Sequence, residues 1–191
     1  MSNQVGSEPK AQGNRSWVLF AIVAVFALGA MLFALSGAGT LGALLLSGVG
    51  GTKAEVGKPA PAFKVTTTLG MEIDSLKLHG SVIVVNFFAS WCKPCQAEAH
   101  DMEEIWKEYQ NDGVIFVGIA YEDTDVKIAQ FVSKYGITFP VATSARDVGR
   151  DFGVTGVPET YVIDREGIVR YKQLGAIDPA ELTGMIEYAL Q

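Results

Sequence analysis

Hydrophobic positions fall into two regimes along this 191-residue chain. Residues 17–35 carry no charged side chain, and apolar character continues, diluted by Gly and Ser, to about Val49. A helix over 17–35, rising about 1.5 Å per residue, spans roughly the hydrocarbon core of a bilayer. Trp17 would sit at the interface, where an indole keeps one wet edge. The rival is a cleaved signal peptide with Ser36-Gly37-Ala38 as its small-residue site, but the apolar run is longer than such segments need. Lys10 and Arg15 precede the run and the next basic residue is Lys53, an asymmetry that favours a cytoplasmic N-terminus. The expected layout is a cytoplasmic tail over 1–16, an anchor over 17–35, a flexible stalk over 36–54 and a globular domain over 55–191. That domain would lie outside the cell membrane on a single-pass tether.

From Lys58 onward the pattern becomes that of a folded domain. Short strand-like runs at 63–66 and 71–73 flank Leu69-Gly70 and predict a hairpin at a sheet edge. Residues 82–88, Val-Ile-Val-Val-Asn-Phe-Phe, form a near-continuous apolar strand of the kind covered on both faces. Cys95, Ala99, Met102, Ile105, Trp106 and Tyr109 then recur at helical spacing. Asp101, Glu103, Glu104 and Glu108 fall between them and read as a solvated face. Residues 114–120 predict a second buried strand. Thr124 caps a helix that turns Ile128, Phe131, Val132 and Tyr135 inward. A short extended piece at 139–142 and a small helix through Val148 and Phe152 follow. Strand 161–163, the turn at 164–167 and strand 168–174 form a hairpin. Asp178, Pro179 and Glu181 open the last helix as N-cap, N1 and N3. Strands alternating with helices and closing in a hairpin and a helix predict a three-layer α/β/α domain.

Charge and cysteine count narrow the function. The chain carries a net charge of −6, and residues 53–191 hold 13 Lys/Arg against 20 Asp/Glu. An acidic domain without a basic stripe is a poor polyanion binder, which excludes nucleic acid as a partner. The two cysteines, Cys92 and Cys95, cannot build a multi-bridge framework. His79 and His100 do not complete a metal-ligand spacing with them, so no metal is expected. Gln96 follows the second cysteine where a c-type haem attachment would need His, so no covalent haem is expected either.

What remains is a redox pair. Trp91-Cys92-Lys93-Pro94-Cys95 lies where the apolar strand gives way to the helical pattern, putting Cys92 at the helix N-cap and Cys95 one turn in. Thiol–disulfide exchange proceeds through the thiolate. Unpaired N–H groups and the positive end of the helix dipole favour a negative sulfur at Cys92. Lys93 adds a neighbouring positive charge, and Pro94 is tolerated in the first turn. Cys92 is therefore expected to attack and Cys95 to resolve. As a structural staple the pair would be poor, because a loop this small constrains little unfolded-state entropy.

Two motifs carry a resemblance. Val85-Asn86-Phe87-Phe88-Ala89-Ser90-Trp91-Cys92-Lys93-Pro94-Cys95 resembles the active-site signature of thioredoxin-fold proteins, and within them the membrane-anchored TlpA-like group. Gly153-Val154-Thr155-Gly156-Val157-Pro158-Glu159-Thr160 is similar to the second signature of the cytochrome c biogenesis (DsbE/CcmG type) members. The resemblance implies a thioredoxin-like three-layer α/β/α sandwich behind a transmembrane helix, with no cofactor beyond the Cys92–Cys95 disulfide. It implies that Pro158 is a cis-proline facing the thiols and that Val157 lends backbone hydrogen bonds to substrate. Trp91, Lys93 and Pro94 would complete that contact surface. Glu98 and Glu159 match acidic positions associated with proton handling. The implied partners are apocytochrome c or other disulfide-bearing polypeptides, a membrane electron donor of thiol type, and lipid through the anchor. The implied reaction is reduction of apocytochrome c disulfides outside the membrane.

One position departs from general thioredoxins: their buried Asp six residues before the first cysteine is Asn86 here, which cannot titrate. Any base for Cys95 must then come from Glu98 or Glu159, directly or through water. Three rivals stay open: a general disulfide exchanger or oxidase, a redoxin-type thiol peroxidase, and a non-enzymatic scaffold that binds apoprotein. The peroxidase would want Pro and Thr or Ser where the chain has Val85 and Ala89.

Overall fold

The structure, a computed structural model, describes residues 53–143 and 145–191. The expected tail, the anchor and the stalk as far as residue 52 lie outside the described residues. Among the described residues no helix is long and apolar enough to cross a membrane.

The strand that organises the domain is β3, Val82–Phe88, buried at every position. It has the composition of a strand covered on both faces, and both faces are covered. β1 (Lys64–Thr66) and β2 (Glu72–Asp74) precede it as a separate antiparallel pair. After it come α1 (Lys93–Tyr109), β4 (Val114–Ala120), α2 (Asp125–Tyr135), β5 (Val141–Ala142) and α3 (Arg146–Phe152). β6 (Glu159–Ile163), β7 (Val169–Leu174) and α4 (Pro179–Leu190) close the chain. The sheet order is β5-β4-β3-β6-β7. β3 runs parallel to β4, with Phe88 opposite Ala120, and antiparallel to β6, with Phe87 opposite Glu159. The C-terminal ends of β3 and β4 and the N-terminal end of β6 therefore share one margin of the sheet.

Alternation along β3 divides the core. Val82, Val84 and Phe88 face a cluster made with α1, α2 and α4, including Met102, Phe131, Leu182 and Ile186. Ile83, Val85 and Phe87 face a second cluster with α3 and the β1–β2 pair, including Phe63, Val65, Phe152 and Tyr161. These are the three expected layers. The predicted hairpin is attached to the main sheet only at its β5 side, where the Thr68 N–H donates to the Val141 carbonyl at 2.7 Å and Thr67 bridges Ala142. On the other side the segment before β1 lies along β7: Gly57 N–H donates to Val169 O, and Val169 N–H to Lys58 O.

Two local expectations change. Glu103 is buried rather than solvated, and its carboxylate accepts from the Thr138 N–H at 2.7 Å and the Thr138 hydroxyl at 2.6 Å. Burial pushes its carboxyl up, but the Thr138 bonds and Lys107, at 3.2 Å, outweigh this and hold it below the usual range. Periodicity could not foresee a partner supplied by the α2–β5 connection, 35 residues away. Thr124 occupies the N-cap of α2 but makes no side-chain cap bond. Asp178 does cap α4, accepting from the N–H groups of Ala180 and Glu181.

Phe152 anchors the second cluster, with ring centroids 5.3 Å from Phe87, 5.1 Å from Tyr161 and 5.9 Å from Phe63. Truncating a ring so enclosed costs about 3–5 kcal/mol. Phe152→Ala should lose that much in urea unfolding at unchanged m-value, and a loss under about 1 kcal/mol would contradict this packing.

Candidate active site

Three connections meet at the margin where β3 and β4 end and β6 begins. The first, after β3, carries the cysteines. Cys92 is the N-cap of α1, in extended backbone geometry, and its sulfur accepts the Cys95 N–H at 3.2 Å. The sequence folds this way because Pro94 falls in the first turn, where its missing donor is not needed. Cys92 and Cys95 form a disulfide, with S–S 2.09 Å and Cα–Cα 5.3 Å. Both are nearly inaccessible to solvent. Trp91, Lys93 and Pro94 are exposed around them.

The third connection brings the peptide Val157–Pro158, which is cis. The Val157 carbonyl oxygen lies 3.5 Å from Cys92 Sγ. Pro158 is buried and Val157 partly exposed, so the Val157 backbone reaches the surface beside the disulfide.

The second connection, after β4, braces the first. The Ser90 N–H donates to the Asp123 carboxylate at 2.6 Å, and the Trp91 indole N–H donates to the Glu122 carbonyl at 3.3 Å. Burial raises the Asp123 carboxyl, but the bonds from Ser90 and Thr124 outweigh it and hold the group below its ordinary range. Glu122 takes a left-handed φ of 50°, a conformation that costs a non-glycine residue energy and clusters at functional sites. The sequence reading missed Glu122 and Asp123. Their position at the carboxyl end of a central strand was the available signal, since open α/β sheets bind ligands there.

Behind the thiols sits one buried polar network. Glu98, one turn after Cys95 on α1, is 5 % exposed. Its carboxylate accepts from Asn86 Nδ2 at 3.2 Å and from the Ile177 N–H, also at 3.2 Å. Asn86 Nδ2 also donates to Thr160 Oγ1 at 3.0 Å. Asn86 thus uses its amide as a donor to both Glu98 and Thr160. Burial raises the Glu98 carboxyl from 4.5 to about 7; the Ile177 and Asn86 donors oppose the rise and nearby Asp101 adds to it. Glu98 and Cys95 line a shared cavity of about 10 Å³, close to the space one water needs.

Glu159 is placed differently. It is 2 % exposed, and its carboxylate accepts from the Thr155 N–H at 3.0 Å and the Tyr161 hydroxyl at 2.7 Å. Tyr161 belongs to the cluster on the opposite face of the sheet from the thiols. The structure thus brings Cys92, Cys95, Glu98, Val157 and Pro158 together, and sets Glu159 as a tie that holds the loop before Pro158. Among the described residues no group of His, Cys, Asp and Glu side chains could hold a metal ion.

The raised Glu98 carboxyl makes a signed prediction. A group that titrates higher when folded binds extra protons in the native state, so stability falls as pH rises from 4.5 to about 7. Relative to Glu98→Gln, the oxidised protein should lose stability across that window in urea unfolding. Parallel pH curves for the two proteins would rule the shift out.

The AhpC/TSA family matches residues 56–172. The thiol-disulfide oxidoreductase ResA of Bacillus thuringiensis (strain Al Hakam) is 33% identical over 136 residues, covering 71% of this chain and 79% of that protein. The thiol:disulfide interchange protein DsbE of Allochromatium vinosum is 37% identical over 131 residues, covering 64% and 68%. Among solved structures, a thiol:disulfide interchange protein of the thioredoxin family from Chlorobium tepidum TLS superposes with TM-score 0.66 at 33% identity, covering 73% of this chain and all of that one. A DsbE-type protein from Chlorobium tepidum gives 0.68 at 27% identity over the same shares. With a helix-capping Cys92–Cys95 pair facing a cis-proline loop, the chain belongs to the AhpC/TSA family and is a thiol-disulfide oxidoreductase of thioredoxin fold.

Proposed function

We propose that the protein works as a reductase of polypeptide disulfides outside the cell membrane, tethered through residues 17–35, and that apocytochrome c is its substrate. The observation that carries the exchange chemistry is the buried Glu98, which lines a cavity with Cys95 and offers a carboxyl to the proton of the resolving thiol near neutral pH. The likeness to ResA and DsbE proteins supports the reading.

In the reduced protein, Cys92 is the thiolate, stabilised by the N–H groups and dipole of α1. Its sulfur attacks one sulfur of the substrate disulfide, forming a mixed disulfide and releasing the other substrate sulfur as a thiolate. The substrate chain lies along Val157 while this happens. Cys95 gives its proton to Glu98, directly or through a water, and its thiolate attacks Cys92 Sγ. That step forms the Cys92–Cys95 bond and releases the second substrate sulfur, which takes a proton from solvent or from Glu98. Two electrons have moved from the enzyme dithiol to the substrate disulfide, and a membrane thiol donor must return them. The peroxidase alternative finds no support at its two positions, since Val85 and Ala89 are buried apolar residues without a hydroxyl.

Cys95→Ser should arrest the reaction at the mixed disulfide. Expressed in membranes, this variant is expected to retain apocytochrome c covalently, in a complex released by dithiothreitol. Cys92→Ser should retain nothing and show no reductase activity. Equilibration of the wild type against glutathione fixes the direction. A couple more oxidising than the glutathione pool, with captured proteins that are not cytochromes, would replace this reading by the disulfide-exchanger one.

A further inference from the structure

An open cleft of about 440 Å³ lies beside the active-site margin, walled by Lys53, Tyr121, Arg146, Arg150 and Thr155. It begins at two residues tied to the thiols. Glu122, at its rim, gives its carbonyl to the Trp91 indole. Thr155 is two residues before Val157, whose carbonyl approaches Cys92. A polypeptide crossing the disulfide over Val157 therefore has this cleft as a continuation.

Two glycines let the walls of the cleft pack closely. A Cβ on Gly149 would come within 3.1 Å of the Tyr121 ring, so the glycine lets that ring lie against α3 as a wall. A Cβ on Gly153 would fall 2.8 Å from Lys53 Cγ and 2.9 Å from Cδ, so the lysine stem crosses the glycine in the space a side chain would fill. A stem packed this way keeps its charged head in solvent at the cleft.

The charge of the cleft runs against that of the domain. Three cations line it, where residues 53–191 carry 13 basic against 20 acidic side chains. Arg150 is paired with Asp147 at 2.8 Å and Asp151 at 3.5 Å. Lys53 and Arg146 make no ion pair among the described residues, and Glu122 is the one acidic residue that lines the cleft with them.

Resting on the polypeptide-disulfide reading above, we propose that this cleft is a specificity subsite for a carboxylate side chain of the substrate, an Asp or Glu a few residues from the attacked cysteine. Lys53 and Arg146 supply the charge that binds it. The subsite selects among polypeptide disulfides that the thiols alone would treat alike.

The test uses the pre-reduced full-length chain in detergent and synthetic peptides closed by one disulfide. The peptides are matched except for a Glu, Gln or Lys placed two to four residues to either side of a cysteine. The wild type should reduce the best Glu peptide about fivefold faster, in kcat/KM, than its Gln counterpart, the scale of one effective ion pair. That ratio should fall towards one at high salt and in Lys53→Gln/Arg146→Gln. It should persist in Lys134→Gln, a distant charge change. Lys53→Glu/Arg146→Glu should invert the order in favour of the Lys peptide, a gain that poor folding could not mimic. Equal Glu and Gln rates in the wild type, or a preference that survives the double Gln variant, would overturn the subsite. So would a double Gln variant that keeps the preference but loses retention on vesicles containing anionic phospholipid, which makes the cleft a lipid contact instead. If no peptide of any charge is reduced, it is the disulfide-reductase reading that fails.

Discussion

The pairing of β3 constrains everything at the site. Because β3 has a parallel neighbour on one side and an antiparallel one on the other, two strand ends and one strand beginning reach the same margin. The three connections from those strands carry the cysteines, the brace at Glu122 and Asp123, and the cis-proline loop. A register slip of one residue would turn Asn86 from the α1 face to the α3 face and separate it from Glu98. Seven buried residues, five of them paired on both flanks, make such a slip costly. The redox geometry is thus a consequence of sheet topology before it is a property of the cysteines.

Two buried glutamates near this margin illustrate how the same side chain is given different work. Glu98 has two N–H donors and little else to offset the loss of water, so it stays protonated to about pH 7 and can exchange a proton. Glu159 receives a backbone N–H from Thr155 and the hydroxyl of Tyr161 on its own strand, and ties a loop in place. The two sit on different elements, Glu98 on α1 and Glu159 on β6, and the alternation of β6 sets the face that Glu159 takes. Thr160 turns towards Asn86, so Glu159 must turn away.

Much of this was legible in the chain. The apolar run ending before Cys92, the helical spacing from Cys95 to Tyr109 and the Asp178-Pro179 start of α4 each follow from local rules, and each stands where those rules put it. The cis peptide before Pro158 was readable only through resemblance, since a proline does not announce its isomer. What local rules could not reach is the pairing of distant polar groups. Glu103 with Thr138, Glu98 with Ile177 and Ser90 with Asp123 join residues separated by 35, 79 and 33 positions. Periodicity predicts which way a side chain faces; it carries no information about which donor will be waiting there.

The chain before β3 has a further effect. Both outer strands of the sheet would otherwise offer unpaired backbone to a neighbouring molecule, the usual route to strand-by-strand aggregation. Thr67 and Thr68 occupy part of the β5 border, and residues 57–60 occupy the start of β7. The uncovered remainder of β7 bears Arg170 and Lys172, charges that discourage a second copy from docking. Deleting residues up to about 68 would uncover both borders at once and would also strip Phe63 and Val65 from the second cluster. Such a fragment would lose core packing and colloidal solubility together.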